Sequence, residues 1–434
     1  MKIGIRREDK NEWERRVPLT PVHVEQLTKS GFKVSIQASN VRIFSDVEYA
    51  NAGAAIREDL TDCDLVLAVK EIPVKFFRKG GVFMFFPHVC KGQSHNMSML
   101  RRIMEVGATL IDFERVVDDS NRRLIFFGNH AGSAGMIETF HALGRRLEWE
   151  GFKTQFAEVK RPVSLDGIDQ GCEMVRAVGQ KIKKDGLPDS LVPLVVGFAG
   201  YGNVSKGAQA VFDLMPHEQI APRELEPFFK SQNYSSRKLY KVVFEEEHFV
   251  RSRDIRKEFS LHEYYEEPER YLGVFEEYLP YLTVLMNCIY WDQRYPKLVT
   301  KDWIQKAWAS IERPRLKVLG DISCDIEGAI ECTLAATDPG DPMYTYVAAE
   351  DRIVHGWKGE GPVVMAVDTL PSEVPREASS SFGDMLAPFL HRIVAADFGA
   401  PFGPLDLPNE IKKAVIVHRG DLTPNYRHLL RFLT

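Results

Sequence analysis

Leu191-Val-Pro-Leu-Val-Val-Gly197-Phe-Ala-Gly200-Tyr-Gly202-Asn203-Val204-Ser205-Lys206-Gly207, continued by Ala208–Leu214, is the stretch that decides the fold. It is an apolar strand, a glycine turn and a helix in that order, the arrangement of a dinucleotide-binding βα unit. Gly200 permits a tight turn, and Gly202 lets backbone N–H groups approach a pyrophosphate. Asn203, Val204 and Ser205 follow as the opening of the helix, whose N-terminus favours phosphate. The third glycine, Gly207, stands two positions later than the standard spacing. A Gly-x-Gly alone also fits a turn that needs glycine only for packing; the flanking strand and helix favour nucleotide.

A second strand is expected to end about 20 residues further on, where an acidic side chain would hold a ribose 2′-hydroxyl. That stretch reads Glu218-Gln219-Ile220-Ala221-Pro222-Arg223. Ala221 occupies the place of the acid and Arg223 follows, which suits a 2′-phosphate and so NADP(H). If Arg223 is only solvated and Glu218 or Glu224 meets the ribose, the alternative is NAD(H).

Outward from this motif, short β-branched runs alternate with amphipathic stretches. Lys2–Ile5, Lys33–Gln37, Leu65–Val69, Val82–Phe86 and Thr109–Ile111 read as strands. Pro21–Ser30, with Thr20 as N-cap and Gly31 as stop, and Met97–Val106 read as helices. Such alternation predicts an α/β fold of two Rossmann-like, doubly wound domains with an interdomain cleft. Gly132–Trp149 is a long helical pattern leading out of the first domain, and Lys181–Ser190 is a polar stretch before the glycine-motif strand. Glu224–Glu267, rich in charge and aromatics, shows no period and reads as an irregular insertion. Pro375–Val394 reads as a helix after a proline turn.

The 434 residues are 44% hydrophobic and 27% charged, which excludes a disordered chain or a disulfide miniprotein. Lys+Arg 56 against Asp+Glu 61, a formal charge of −5, argues against a nucleic-acid partner. Six scattered cysteines without a CxxC pair predict reduced thiols, with neither structural metal nor disulfide framework. The charged start, Met1-Lys2-Ile3-Gly4-Ile5-Arg6, has no signal-peptide core, and no run is long enough to span a membrane. A soluble cytoplasmic protein is the expectation.

The block Arg7-Glu8…Glu14-Arg15-Arg16-Val17-Pro18-Leu19-Thr20-Pro21 resembles the opening of the alanine dehydrogenase and saccharopine dehydrogenase superfamily. Val69-Lys70-Glu71-Ile72-Pro73, Phe86-Pro87-His88 and Asp321-Ile322-Ser323-Cys324-Asp325 continue it in order. Phe127-Gly128-Asn129-His130-Ala131-Gly132, Asn287-Cys288-Ile289-Tyr290-Trp291 and Leu370-Pro371 are more similar to the lysine–2-oxoglutarate reductase domain of bifunctional aminoadipic semialdehyde synthases. The resemblance implies a substrate domain of residues 1–135 with about 376–434. It implies a dinucleotide domain of about 136–375, with an insertion around 224–290.

The implied chemistry is reductive condensation of lysine with 2-oxoglutarate to saccharopine, or the reverse, within lysine metabolism and degradation. Lysine, 2-oxoglutarate and saccharopine are the implied partners, and homo-oligomerisation stays open. Because the resembled bifunctional enzyme continues into a saccharopine-oxidising half, a chain of this length is expected to perform only the first step. The alternatives are an alanine-dehydrogenase-like or other opine-type amino-acid reductase, or a non-catalytic nucleotide-binding regulatory module. Lys70, at the end of an apolar run, and His88, after the strand Val82–Phe86, are the implied proton-transfer pair, with Glu71 and Glu114 as orienters or ordinary counter-ions. Arg16 is implied as a carboxylate-binding guanidinium. Arg123 and Phe127 match positions facing cofactor and substrate. Asn287, Tyr290, Asp325, Asp368 and Leu370 match loops at the nicotinamide end, although Tyr290 fits domain packing equally well. The superfamily places two glycines after Asp325, whereas Ile326 and Glu327 stand here.

Overall fold

Strands with β-branched and aromatic side chains on both faces need helices on both faces, and the chain supplies them twice. In a computed structural model, which describes residues 1–310 and 313–433, the chain divides into two units. Met1–Phe127 with Pro375–Thr434 form one, and Gly128–Val374 the other.

In the first unit, β1 (Lys2–Ile5), β2 (Lys33–Gln37), β3 (Ala55–Arg57), β4 (Leu65–Leu67), β5 (Val82–Phe85) and β6 (Thr109–Asp112) are parallel neighbours in the order β3-β2-β1-β4-β5-β6. This is doubly wound order, with its reversal between β1 and β4. Helix α1 (Pro21–Lys29) carries Pro21 in its first turn, and the Thr20 amide donates to His23 Nδ1 at 3.2 Å. Helices α2 (Asp46–Asn51) and α3 (Ser94–Glu105) follow. Met97, Leu100 and Ile103 of α3 bury one face of the sheet.

In the second unit, helices α4 (Gly128–Trp149) and α5 (Ile168–Asp185) lead into the glycine-motif strand β7 (Val195–Ala199) and helix α6 (Asn203–Phe212). The polar Lys181–Ser190 stretch therefore includes the exposed end of a helix. Next come β8 (His217–Gln219), β9 (Leu239–Phe244), the hairpin β10 (Val250–Ser252) and β11 (Tyr271–Gly273), and β12 (Val284–Asn287). After them come β13 (Val318–Asp321), β14 (Met343–Val347), β15 (Arg352–His355) and β16 (Val363–Met365). The sheet order is β15-β14-β16-β13-β12-β7-β9-β8, all in one direction except β14, which runs antiparallel to both its neighbours. The chain then returns to the first unit. The helix Pro375–Ala395 packs Phe382, Leu386 and Leu390 on its sheet, and β17 (Val415–His418) and β18 (Asp421–Leu422) extend that sheet beyond β6. Among the described residues no helix is long and apolar enough to cross a membrane.

One expectation is corrected here. The strand paired with β7 is β9, ending at Phe244, whereas β8, which precedes Ala221 and Arg223, lies at the edge of the sheet. The Glu224–Glu267 stretch thus holds an interior strand. Its signature was masked because Lys241 interrupts the apolar run; that side chain is buried and paired with Asp213 at 2.7 Å.

The third glycine serves a helix crossing. A Cβ at Gly207 would lie 2.1 Å from the Asn129 carbonyl oxygen, and one at Gly132 would lie 1.9 Å from the Val204 carbonyl oxygen. Helices α4 and α6 therefore touch backbone to backbone. Gly207→Ala is expected to destabilise the chain by about 3 kcal/mol, because neither backbone can yield locally. Chemical denaturation showing a loss under about 1 kcal/mol would disprove this crossing.

Candidate functional site

In a parallel sheet every strand delivers its carboxyl end to one edge, and a ligand crevice forms where the winding reverses. In the first unit those ends are Ile5 of β1, Leu67 of β4 and Phe85 of β5. Lys70 follows β4 and is half-buried. His88 follows β5, and its backbone is left-handed at φ 46°, a conformation that costs a non-glycine residue about 1–3 kcal/mol. The His88 carbonyl accepts from Asn96 Nδ2 at 3.2 Å, which holds the turn in place.

Glu71 joins the two ends. Its Oε1 lies 2.6 Å from His88 Nδ1 and its Oε2 lies 3.1 Å from Lys10 Nζ. Burial raises the Glu71 carboxyl, but the His88 hydrogen bond and the His88 and Lys10 charges outweigh it and hold the group below the ordinary carboxylate range. An ionised carboxylate only accepts, so Nδ1 of His88 donates to it and Nε2 is the ring nitrogen left for another partner. The His88 ring stacks on Phe86, with centroids 6.2 Å apart, and Phe86 lies 6.1 Å from Phe127. Phe127 in turn carries the Arg16 guanidinium 4.4 Å from its centroid. Lys70, His88, Phe127 and Arg16 thus belong to one unit; Phe86 links His88, Phe127 and Arg16 into one connected group, and Lys70 precedes Glu71 in the chain.

Arg16 is 4% exposed, and Glu14 grips it from two sides: Nε donates to Oε1 at 2.7 Å and Nη2 to Oε2 at 2.5 Å. Arg123 is half-exposed and paired with Glu114, whose own amide donates to the buried Asp112 at 2.8 Å.

In the second unit, Gly200 turns the chain out of β7 at φ 92° and donates its amide to the Phe244 carbonyl at 2.9 Å. Gly202 precedes α6, and a Cβ there would meet no protein atom within 4 Å. Its backbone is also ordinary, so nothing in the protein demands glycine. Open space above a helix N-terminus suits a pyrophosphate, so these residues fit a dinucleotide. Asn203, Val204 and Ser205 form the first turn of α6. Val204 faces α4 through its carbonyl, and Ser205 is buried, accepting from Gln209 at 2.8 Å.

Gly200, Gly202 and Tyr290 line one pocket of about 440 Å³, with Tyr264, Tyr265 and Trp291. Tyr290 is 71% exposed. Among the described residues lining this pocket, Glu246 carries charge and no lysine or arginine occurs. Glu246 accepts from the Tyr265 hydroxyl at 2.7 Å. Burial, and after it the Glu246 carboxylate, pushes the Tyr201 and Tyr265 phenols up. Arg223 sits on the turn Pro222–Glu224 beyond the edge strand and is not part of this lining.

Asn287 ends β12 and donates to Asp321 Oδ1 at 2.8 Å, while Thr333 donates to Asp321 Oδ2 at 2.6 Å. Burial pushes the Asp321 carboxyl up to about 6. Asp325 and Asp368 both act on the thiol of Cys324, which burial drives upward. Where the superfamily pattern has glycines, Glu327 adopts φ 50°, as Cys324 does at φ 54°. Leu370 is buried and packs beside Gly135, so its side chain belongs to the core. Sequence reasoning passed over Glu8, Glu14, Glu246 and Asp321. The acidic run Glu245–Glu247 directly after Leu239–Phe244 was the available signal for Glu246.

Residues 4–134 match the family model of the alanine dehydrogenase/PNT N-terminal domain. The chain is 35% identical to an alpha-aminoadipic semialdehyde synthase of Arabidopsis thaliana and 35% identical to the mitochondrial one of Rattus norvegicus, over 99% and 98% of its length. It covers 41% and 47% of those proteins, so it spans less than half of either. It is 27% identical to a saccharopine dehydrogenase (NAD(+), L-lysine-forming) of Yarrowia lipolytica, covering 92% of this chain and 93% of that protein. Among solved structures, an L-alanine dehydrogenase superposes over the full length of both chains with a TM-score of 0.64 at 19% identity, which speaks for the fold. Residues 4–134 thus match the alanine dehydrogenase/PNT N-terminal domain, and the chain taken whole is similar to the aminoadipic semialdehyde synthases and saccharopine dehydrogenases.

Proposed function

We propose that this chain joins L-lysine to 2-oxoglutarate and reduces the product to saccharopine, and runs the reverse reaction, with NAD(H) as hydride carrier. The observation that carries the reading is the Lys70–Glu71–His88 constellation at the reversal of the first sheet. As the ε-amine bonds to the keto carbon, a base must take a proton from nitrogen; as the resulting hydroxyl leaves as water, an acid must supply one. His88, oriented by Glu71 with Nε2 outward, and Lys70 on the neighbouring strand end are suited to divide that work. Arg16, gripped by Glu14 through Nε and Nη2, keeps Nη1 for a substrate carboxylate. The nicotinamide nucleotide supplies the hydride when bound.

The cofactor preference departs from the expectation of NADP(H). That expectation rested on Ala221 and Arg223, which follow the edge strand β8. The chain after β9 instead supplies Glu245 and Glu246, and a carboxylate there accepts from a ribose diol and repels a 2′-phosphate. The name of the Yarrowia relative, which couples saccharopine, NAD(+) and lysine, supports both halves of the reading.

Lys70→Met with His88→Gln is expected to abolish most turnover in an NADH oxidation assay with lysine and 2-oxoglutarate, while cofactor affinity by fluorescence titration stays within about twofold. Wild-type turnover by the double variant would reject the assignment. Equal rates when ornithine or ammonia replaces lysine would favour a broader opine-type reductase.

Glu246→Ala is expected to weaken NADH binding about tenfold, the loss of one charge-assisted hydrogen bond, and to leave NADPH binding unchanged or improved. A wild-type protein that binds NADPH more tightly than NADH would overturn the preference.

A further inference from the structure

In an extended strand successive N–H groups point to opposite edges. Just beyond β4 this alternation stops, because the amides of Val69 and Lys70 both reach one carboxylate. Oε1 of Glu8 accepts from Val69 at 2.7 Å and Oε2 accepts from Lys70 at 3.0 Å. Glu8 follows β1, the strand beside β4 at the reversal of the sheet, and is 6% exposed. A buried carboxylate spanning two consecutive amides forces a bend, and that bend carries Lys70 away from the strand direction.

We propose that Glu8 is a positioning residue for Lys70: by holding both amides it fixes the direction in which the Lys70 ammonium leaves the sheet. This rests on the reading of Lys70 as a proton-transfer group.

The charged neighbours of Glu8 are few. Arg6, buried beside it, follows β1; Glu14 faces it from the following loop and is itself held by Arg16; Lys70 follows β4. Burial and the Glu14 charge push the Glu8 carboxyl up to about 7, against the downward pull of the two amides and of Arg6. The clasp needs both oxygens as acceptors, so it is intact above that value and weakens as pH falls through it. Turnover therefore falls along an acid-side limb to which Glu8 contributes.

Glu8→Gln places an amide NH2 against a backbone N–H and breaks the clasp at every pH. The full chain carrying it is expected to lose about tenfold or more in kcat at pH 8 and to lack that acid-side limb. Its affinity for NADH should be unchanged, and deuterium exchange of a peptide spanning residues 65–71 should be faster. Wild-type kcat with the limb intact would overturn the proposal. Lys70→Met separates the two failures: if it is inactive while Glu8→Gln behaves as wild type, the positioning role alone falls, and if it turns over normally the reading beneath falls with it. Should Glu8→Gln not fold, the wild-type protein decides. Its Val69 and Lys70 amide resonances are expected to move together with a midpoint near pH 7, and amides that stay still between pH 6 and 8 would overturn the proposal.

Discussion

A buried parallel strand cannot simply stop. Its ladder ends, but its last N–H and C=O groups remain in low dielectric and must find partners, since each orphan costs on the order of 1–3 kcal/mol. The cost falls hardest at the reversal of a doubly wound sheet, where neighbouring connections depart in opposite directions and cover nothing. Both units meet this demand with acidic side chains. Glu8 closes the end of β4 by taking two amides. Asp321 closes β13, taking Asn287 Nδ2, Thr333 Oγ1 and the Cys324 amide at 3.3 Å. In each unit a buried carboxylate at a strand end thus supplies acceptors that the ending ladder lacks.

That solution makes stability depend on pH in two opposing ways. Burial pushes Glu8 and Asp112 up to about 7 and Asp321 up to about 6. A carboxyl raised in the folded state holds its proton more tightly than in the unfolded chain. Its contribution is therefore complete below the unfolded value and is lost as pH rises toward the folded one. Glu71 runs the other way, because the His88 bond and nearby positive charge overcome its burial and keep it ionised. Its contribution is present above the ordinary carboxylate range and fades only in acid. Glu71, held ionised by its partners, thus differs from Glu8 and Asp112, whose burial favours the protonated form.

Much of this was readable residue by residue. The run from Lys2 to Ile5, the Thr20–Pro21 cap, the apolar strands before Lys70 and His88 and the turn at Gly200 are local signals, because propensity, capping and φ requirements act within a few residues. The misplaced strand has one cause. β9 carries Lys241, whose charge is neutralised by Asp213 on another element, so its burial cannot be inferred from neighbours in the chain. Spacing then pointed to the edge strand β8 and not to β9.

By itself the sequence determined that the chain is α/β, that it has a glycine turn between a strand and a helix at Gly200–Gly202, and that Lys70 and His88 follow strand ends. Each of these follows from periodicity or backbone conformation over short spans. The tertiary structure decided which strand lies beside β7, why Gly207 is glycine, and that Glu8, 61 and 62 residues before the amides it holds, governs the exit of Lys70. Those matters depend on which distant segments become neighbours. Strand order and helix crossing are settled by the burial of whole faces, a sum over many residues that no local pattern contains.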